Sequence, residues 1–422
     1  MASAWAYMMQ ARRSELEICT KTMNPRDAAR VSLFTFSMLT LMLTGCRSHD
    51  FPQYPANYRE YVYVTNGGSG TVTVLDVVNV RVDRELPVGQ NPVAVAASPS
   101  RNEVYVVNSG AEGSVGSISV INAENNSVVA TIPLHRQPVS IDLDADGKLA
   151  YVANSGSNSI SVVDLKNRRE TSQIGAGEEP VAARLSADGK TLAVTNRRGN
   201  SVSLVDPASR TVRTVFEGCP GASDVVMLPD SSKAFVACSA GHQVMAISLA
   251  RASRAATAQA GAAPASPAVP DRLEAMMDVG RAPVQLALKP DGGEVFVSNL
   301  LSNSVSEIYN TSDEVGATYM IGDGPAHGLV SSDNSLLYVA NFHSQYVVIY
   351  GITDGRRVGS VHVGDGPSAM AFSAAGHLLF VVDARSGDVA VVRTASPSLF
   401  AFTLLSAGRN PNAIVDKAFK LP

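Results

Sequence analysis

The sequence predicts an all-β fold, a β-propeller of eight four-stranded blades, with seven blades as the alternative count. Three observations predict it. One short apolar run ending in a small polar residue recurs eight times along the chain. Each period holds four short alternating runs, which is the strand content of one blade. Finally, an unmatched run near the C-terminus complements an unmatched run at the start of the body.

The recurring run is Tyr63-Val64-Thr65-Asn66, then 105–108, 151–154, 193–196, 235–238, 296–299, 338–341 and 380–383. Successive copies are 42, 46, 42, 42, 61, 42 and 42 residues apart. The longer loop at 108–117 absorbs the extra residues of the second interval, and an Ala/Pro-rich tract at 251–271 absorbs those of the fifth. Before each run after the first stands a Pro-led apolar segment, such as Pro92-Val93-Ala94-Val95. A turn such as Asp188-Gly189-Lys190 joins the two, a Gly/Ser/Asn loop leads to a third run, and a fourth closes the period. Period-two alternation of β-branched and small polar residues marks strands with two distinct faces.

The blade count follows from the Pro-led segments at Pro92, Pro138, Pro180, Pro220, Pro283, Pro325, Pro367 and Pro411. The last has no recurring run after it, and the run at residue 63 has no Pro-led segment before it. Pairing the two closes the ring and leaves no inner blade with an open edge. The propeller domain is expected over 61–420. Loops between blades and between the second and third strands share one face, called the top. The insert at 251–271 falls between the third and fourth strands of its blade, at the bottom, and reads as a flexible loop.

The N-terminus reads as an address. Residues 31–43 are apolar, too short for a membrane-spanning helix, which needs about 20 residues. They fit the core of a signal peptide over 1–45, with Arg26 and Arg30 before it. Met23 gives a more conventional start than Met1. The segment ends Leu43-Thr44-Gly45-Cys46, which resembles a bacterial lipobox and makes Cys46 the lipidated first residue of the mature chain. Residues 46–60 are then a linker. The expected partner here is the membrane, and the expected location is the bacterial cell envelope, periplasmic or outer-membrane.

The recurring Y-V-x-N, the hairpin Ser186-Ala187-Asp188-Gly189-Lys190 and the G-x-x-P segment Gly89–Pro92 together resemble the YVTN-repeat propellers, the YncE-like and surface-layer-type group. The resemblance covers about residues 61–418 and implies a propeller, commonly of seven blades.

Composition narrows the function. Charged residues are 17% and the net charge is −4, so there is no basic footprint for nucleic acid. The one Trp is Trp5, so no WD dipeptide repeats through the body. No haem-attachment, zinc-protease, nucleophile-elbow or phosphate-loop motif occurs, and no cofactor is expected. The terminal Asn of each run reads as a turn-closing residue. Candidate ligand-binding residues lie on the top face: Arg281, Asp323, His327, His343, Asp365 and Arg409. His327 tops an inner strand beside the channel mouth. With His343, Asp323 and Asp365 it offers metal-ligating types, but without a metal-ligand spacing no metal centre is expected. Arg281 and Arg409 could clamp an anion. His377 falls in a bottom hairpin and reads as surface. Cys219 and Cys238 are the cysteines of the body. Pairing through the 229–233 turn sets Cys238 opposite residue 224, which leaves Cys219 about 16 Å along at strand rise. A bridge, which needs Cα atoms within about 7 Å, would require the loop to fold back.

The first functional expectation is a monomeric, lipid-anchored binding or scaffold module that holds a protein or cell-envelope polymer on its top face. The alternative is a lactonase-like hydrolase at the channel mouth, with Asp365, His327 and Arg409 as candidates. A redox partner resembling the haem d1 propellers would need His327 as a haem ligand.

Overall fold

The computed structural model describes residues 54–250, 269–394 and 401–421. The chain divides into units Met1–Ala56 and Asn57–Pro422, and the strands of the described residues lie in the second. The signal peptide, the lipobox at Cys46, the start at Met23 and most of the Ala/Pro-rich insert lie outside the described residues. Among the described residues, no helix is long and apolar enough to cross a membrane.

The second unit is eight four-stranded antiparallel sheets, each a blade, as the repeat count predicts. Blades II to VIII span 92–136, 138–175, 180–217, 222–278, 283–320, 325–362 and 367–406. Blade I is composite. Its inner strand, Pro411–Lys420, pairs antiparallel with Tyr58–Asn66, and Thr71–Asp76 and Arg81–Pro87 complete it. The closure expected from the sequence is therefore formed, with the entry strand beginning three residues before 61.

The recurring run forms each blade's second strand because its residues are buried on both faces. Tyr63, Tyr105, Phe235, Phe296, Tyr338 and Phe380 are each at most 2% exposed and fill the gaps between blades. Each such side chain contributes about 1.5–3 kcal/mol by leaving water. The clusters they join span adjacent blades: Tyr338 and Ala340 of blade VII pack with Leu379 and Val381 of blade VIII. Every inner strand slips register after its first residue, at Pro in seven blades, because that residue has no N–H for the ladder. Every third–fourth strand pair also carries a bulge. Such bulges twist the exposed outer strands away from edge-to-edge pairing.

The terminal Asn residues are structural, as expected, though they bond to side chains more than to the turn. Asn196 donates through Nδ2 to Ser201 Oγ at 3.2 Å and Ser203 Oγ at 2.9 Å, and Asn299 does the same to Ser304 and Ser306. Asn108 Oδ1 accepts from the Gly89 N–H at 3.0 Å. A Cβ on Gly89 would stand 2.6 Å from Asn108 Cγ, so this closeness needs glycine.

Blade V departs from two expectations. Its inner strand begins at Ala222, not at Pro220. The register slip after Ala222 puts that residue opposite Cys238, and the Ala222 N–H bonds back to Cys219 O at 3.1 Å. The loop is thereby folded back, and Cys219 and Cys238 form a disulfide with their Cα atoms 4.8 Å apart. The distance argument from sequence ran the chain as extended strand back to Cys219, whereas the turn at 219–222, with the slip at Ala222, brings Cys219 to Cys238. The third strand of this blade ends at Ser248 and the fourth begins at Arg272. Asp271, at the end of the predicted flexible tract, is instead fixed by Arg213 at 2.7 and 2.8 Å.

Candidate functional site

The inner strands enclose a channel whose cavity is about 780 Å³. Small and apolar side chains make most of its wall, among them Val93, Val139, Val181, Ala369 and Ala413. Four successive inner strands, in blades IV to VII, add Arg184, Asp224, Gln285 and His327 to this lining, and the blade III strand carries Asp142, which lies outside the cavity against blade IV. They occupy the third or fifth place of each strand and so lean toward the next blade.

Three of the five are committed to that neighbour's backbone. Asp142 Oδ2 accepts from the Leu185 N–H at 2.7 Å. Asp224 Oδ2 accepts from the Leu286 N–H at 3.0 Å, and its Oδ1 from the Val225 N–H at 2.9 Å. Gln285 Oε1 accepts from the Gly328 N–H at 2.7 Å. These bonds satisfy the free edge of each inner strand, where an unpaired amide would otherwise be costly.

Arg184 and His327 are not so committed. Arg184 donates from Nη1 to Ala183 O at 3.4 Å. Asp142 and Asp224 stand on the strands to either side of it. Burial pushes both carboxyls above the usual carboxylate range, and the Arg184 guanidinium pulls them back. His327 lines the cavity, while its Nδ1 is buried with no hydrogen-bond partner. Burial pushes its pKa down to about 4, so the imidazole is neutral at physiological pH.

The predicted top-face residues form separate pairs. His343 Nδ1 lies 3.9 Å from Asp323 Oδ1. Asp365 lies 3.8 Å from Arg385, whose guanidinium stacks over Phe342 at 4.5 Å. Arg281 donates to Leu301 O at 2.9 Å. Arg409 is exposed, and its backbone N–H bonds to Ser69 Oγ at 2.6 Å. Arg281 precedes blade VI and Arg409 precedes blade I, so the two are not neighbours around the rim. His327 faces the channel, apart from these loops. Among the described residues, no three His, Cys, Asp or Glu side chains converge as a metal site would need. His377, expected at the surface, is half-buried and lines a cleft of about 500 Å³ between blades VII and VIII.

Asp142, Arg184, Asp224 and Gln285 were missed in the sequence. The signal was available: with the Pro-led segments aligned, the same places elsewhere hold Ala, Ser, Val or Leu. In blade V the displaced strand start hid it.

A family model described as lactonase, 7-bladed beta-propeller, matches residues 61–178. Comparison with the sequences of curated proteins finds no match. Among solved structures, the chain is similar to the periplasmic gluconolactonase PpgL of Pseudomonas aeruginosa. Identity there is 17% and the TM-score 0.55, over 86% of this chain and 99% of that one. It is also similar to a putative 6-phosphogluconolactonase from Bacteroides uniformis, at 16% identity and TM-score 0.56, over 86% and 100% of the two chains. The dihydro-heme d1 dehydrogenase NirN is 14% identical with TM-score 0.64, over 86% and 76%. At these identities the likeness is one of fold.

Proposed function

We propose that the chain is a lactonase-like hydrolase whose site is the central channel. One observation carries this reading: Arg184 and His327 line one cavity, and neither is committed to a neighbouring blade or to an ion pair. The lactonase family match and the gluconolactonase-like neighbours support the hydrolase over the scaffold reading. The sequence-based candidates shift accordingly. His327 stays, and Arg184 takes the role given to Arg409.

The chemistry asks for a proton acceptor and an oxyanion donor. Neutral His327 takes a proton from water as the oxygen adds to the lactone carbonyl. Arg184 donates hydrogen bonds to the negative oxygen that forms. When the ring C–O bond breaks, the imidazolium returns its proton to the leaving alkoxide. The products are a carboxylate and an alcohol.

The test is lactone hydrolysis by the purified chain, followed by acid release against a panel of aldonolactones. Arg184→Ala and His327→Ala should each lower kcat/KM by about 10²-fold or more, the cost of removing one oxyanion donor or general base. Turnover equal to wild type in both variants rejects the channel as the site.

Two further proposals rest on sequence alone. The tetrapeptide ending in Cys46 supports a lipid tether to the cell envelope, which labelling with radioactive palmitate in wild type and Cys46→Ser would test. The Y-V-x-N, S-x-D-G-K and G-x-x-P motifs support placing the chain among the YVTN-repeat propellers.

A further inference from the structure

Blade VIII breaks the rule that its siblings obey. The terminal Asn of the second strand donates through Nδ2 to the side chain directly opposite it on the third strand. It does so in blades I, II, III, IV and VI, to Thr71, Ser117, Ser159, Ser201 and Ser304 at 3.1, 3.2, 3.4, 3.2 and 3.3 Å. In blade VIII these two places are Asp383 and Asp388, directly opposite each other across the strand pair. Asp383 is fully buried, and its Oδ2 accepts from the Gly364 N–H at 2.9 Å. The Oδ1 atoms of both residues are buried with no partner. Two ionised carboxylates can only accept, and like charges directly opposite on a sheet repel. One proton converts the contact into an O–H···O bond.

A second buried carboxyl pair lies in blade I, where it meets blade VIII. Glu60, 1% exposed, sits on the entry strand of blade I. Its Oε1 accepts from the Ala374 N–H of blade VIII at 2.7 Å and its Oε2 from the Tyr58 hydroxyl at 2.6 Å. Both oxygens already face donors, which suits the ionised form. Asp416, on the closing strand, pairs with Val62 and so lies diagonally across from Glu60 on the same face. Its Oδ1 is buried without a partner. The other inner strands hold Ala97, Leu143, Leu185, Met227, Leu288, Val330 and Phe372 at this place, all apolar.

We propose that each pair holds one proton in common, and that the two protons, one where blade VIII meets the loop arriving from blade VII and one where it meets blade I, make blade VIII an alkali-sensitive latch on the ring. The surrounding groups do not remove the need for them. Asp365 and Arg385, beside the first pair, engage each other at 3.8 Å. Lys417, beside the second, donates to Ser98 O at 2.6 Å and so ties blade I to blade II. Tyr58, whose hydroxyl bonds Glu60, and His377 and Tyr63 also face that pair. Burial and the partner carboxyl push Asp383 up to about 8 and Asp416 to about 9. In the unfolded chain both are ordinary acids. The folded state therefore keeps protons that the unfolded state has lost, and stability falls as pH rises toward those values.

The test is thermal unfolding of the full chain from about pH 6 to 10, the window of the raised values, in wild type, Asp383→Asn, Asp416→Asn and the double variant. The amide introduced by Asp383→Asn would donate to Asp388, as in the sibling blades, with no proton needed. The wild-type Tm should fall with rising pH up to about 9 and level off above it, and the double variant should flatten the curve. Hydrogen exchange at the alkaline end should rise in 367–406 and 411–420 before it rises in blades III and IV. Parallel curves for wild type and the double variant would overturn the proposal, as would exchange rising equally in every blade. Infrared spectra of the wild type stand independent of any variant's folding. They should show a protonated-carboxyl band at neutral pH that alkali removes, and its absence would count equally against the latch.

Discussion

Cys219 and Cys238 are joined at the place where blade II sets Gly89 against Asn108. Cys219 stands three residues before the inner strand, as Gly89 does, and Cys238 ends the second strand, as Asn108 does. A covalent bond thus stands where blade II has a backbone-to-amide hydrogen bond and where blade VIII has the bond from the Gly364 N–H to Asp383. Both cysteines are fully buried, so a reductant meets them only when the blade opens.

Replacing both cysteines by serine should lower stability by about 3 kcal/mol, the scale for a loop of this length. The pair Cys219→Gly and Cys238→Asn should recover part of that loss, because it installs the Gly–Asn tie of blade II. Urea unfolding of the three proteins decides it, and equal losses in both variants would show that the two ties are not equivalent.

Gly89→Ala should destabilise by roughly 1–3 kcal/mol, the usual scale of overpacking. Its Cβ would lie 2.6–2.8 Å from the Asn108 side chain. Gly175→Ala is the control, because nothing lies within 4 Å of its Cβ. Denaturation midpoints should separate the two substitutions clearly.

Deleting residues 408–422 removes the inner strand of blade I and exposes the paired edge of Tyr58–Asn66. Unpaired edges recruit other chains. The truncated protein should form soluble oligomers or precipitate where the full chain does not, as read by light scattering. A monodisperse monomer from the truncated chain would mean that the other blades close without it.

His327 should titrate with a midpoint of about 4 by NMR of the imidazole protons. The sign for stability follows from its depressed value. Between its ordinary pKa of about 6.5 and the folded value, the unfolded chain binds a proton that the folded chain refuses. Stability therefore drops as pH falls through this window and levels off below it. His327→Gln should remove this component of the acid dependence, and an unchanged acid profile would place the ring in water rather than in the protein.

Much of the fold could be read from one dimension because the blade is a local object. Asn66, Asn108 and their counterparts mark the end of each second strand, and the Pro-led segments mark most of the inner ones. The orphan run at 63 and the orphan segment at 411 showed how the ring closes, since each lacks the partner that the other supplies. The site was less legible. Asp142, Arg184 and Asp224 lie some 40 residues apart, one repeat length, and each looks like an ordinary polar residue in an apolar strand. They meet only because successive inner strands stand side by side around the channel.

The sequence by itself determined the architecture: strand number, blade number, order and closure all follow from repeated local patterns of burial and turn chemistry. The tertiary structure alone decided which polar side chains remain uncommitted. That depends on whether a neighbouring blade offers a backbone amide at hydrogen-bond distance, as Leu286 does for Asp224 and as no group does for His327 Nδ1. It also decided the disulfide, because the turn closed by the Ala222 N–H to Cys219 O folds the loop back and, with the slip at Ala222, brings the Cα atoms to 4.8 Å. Periodicity records what each strand buries. Register and the spacing between blades, which set every distance at the channel, exist only once the ring has closed.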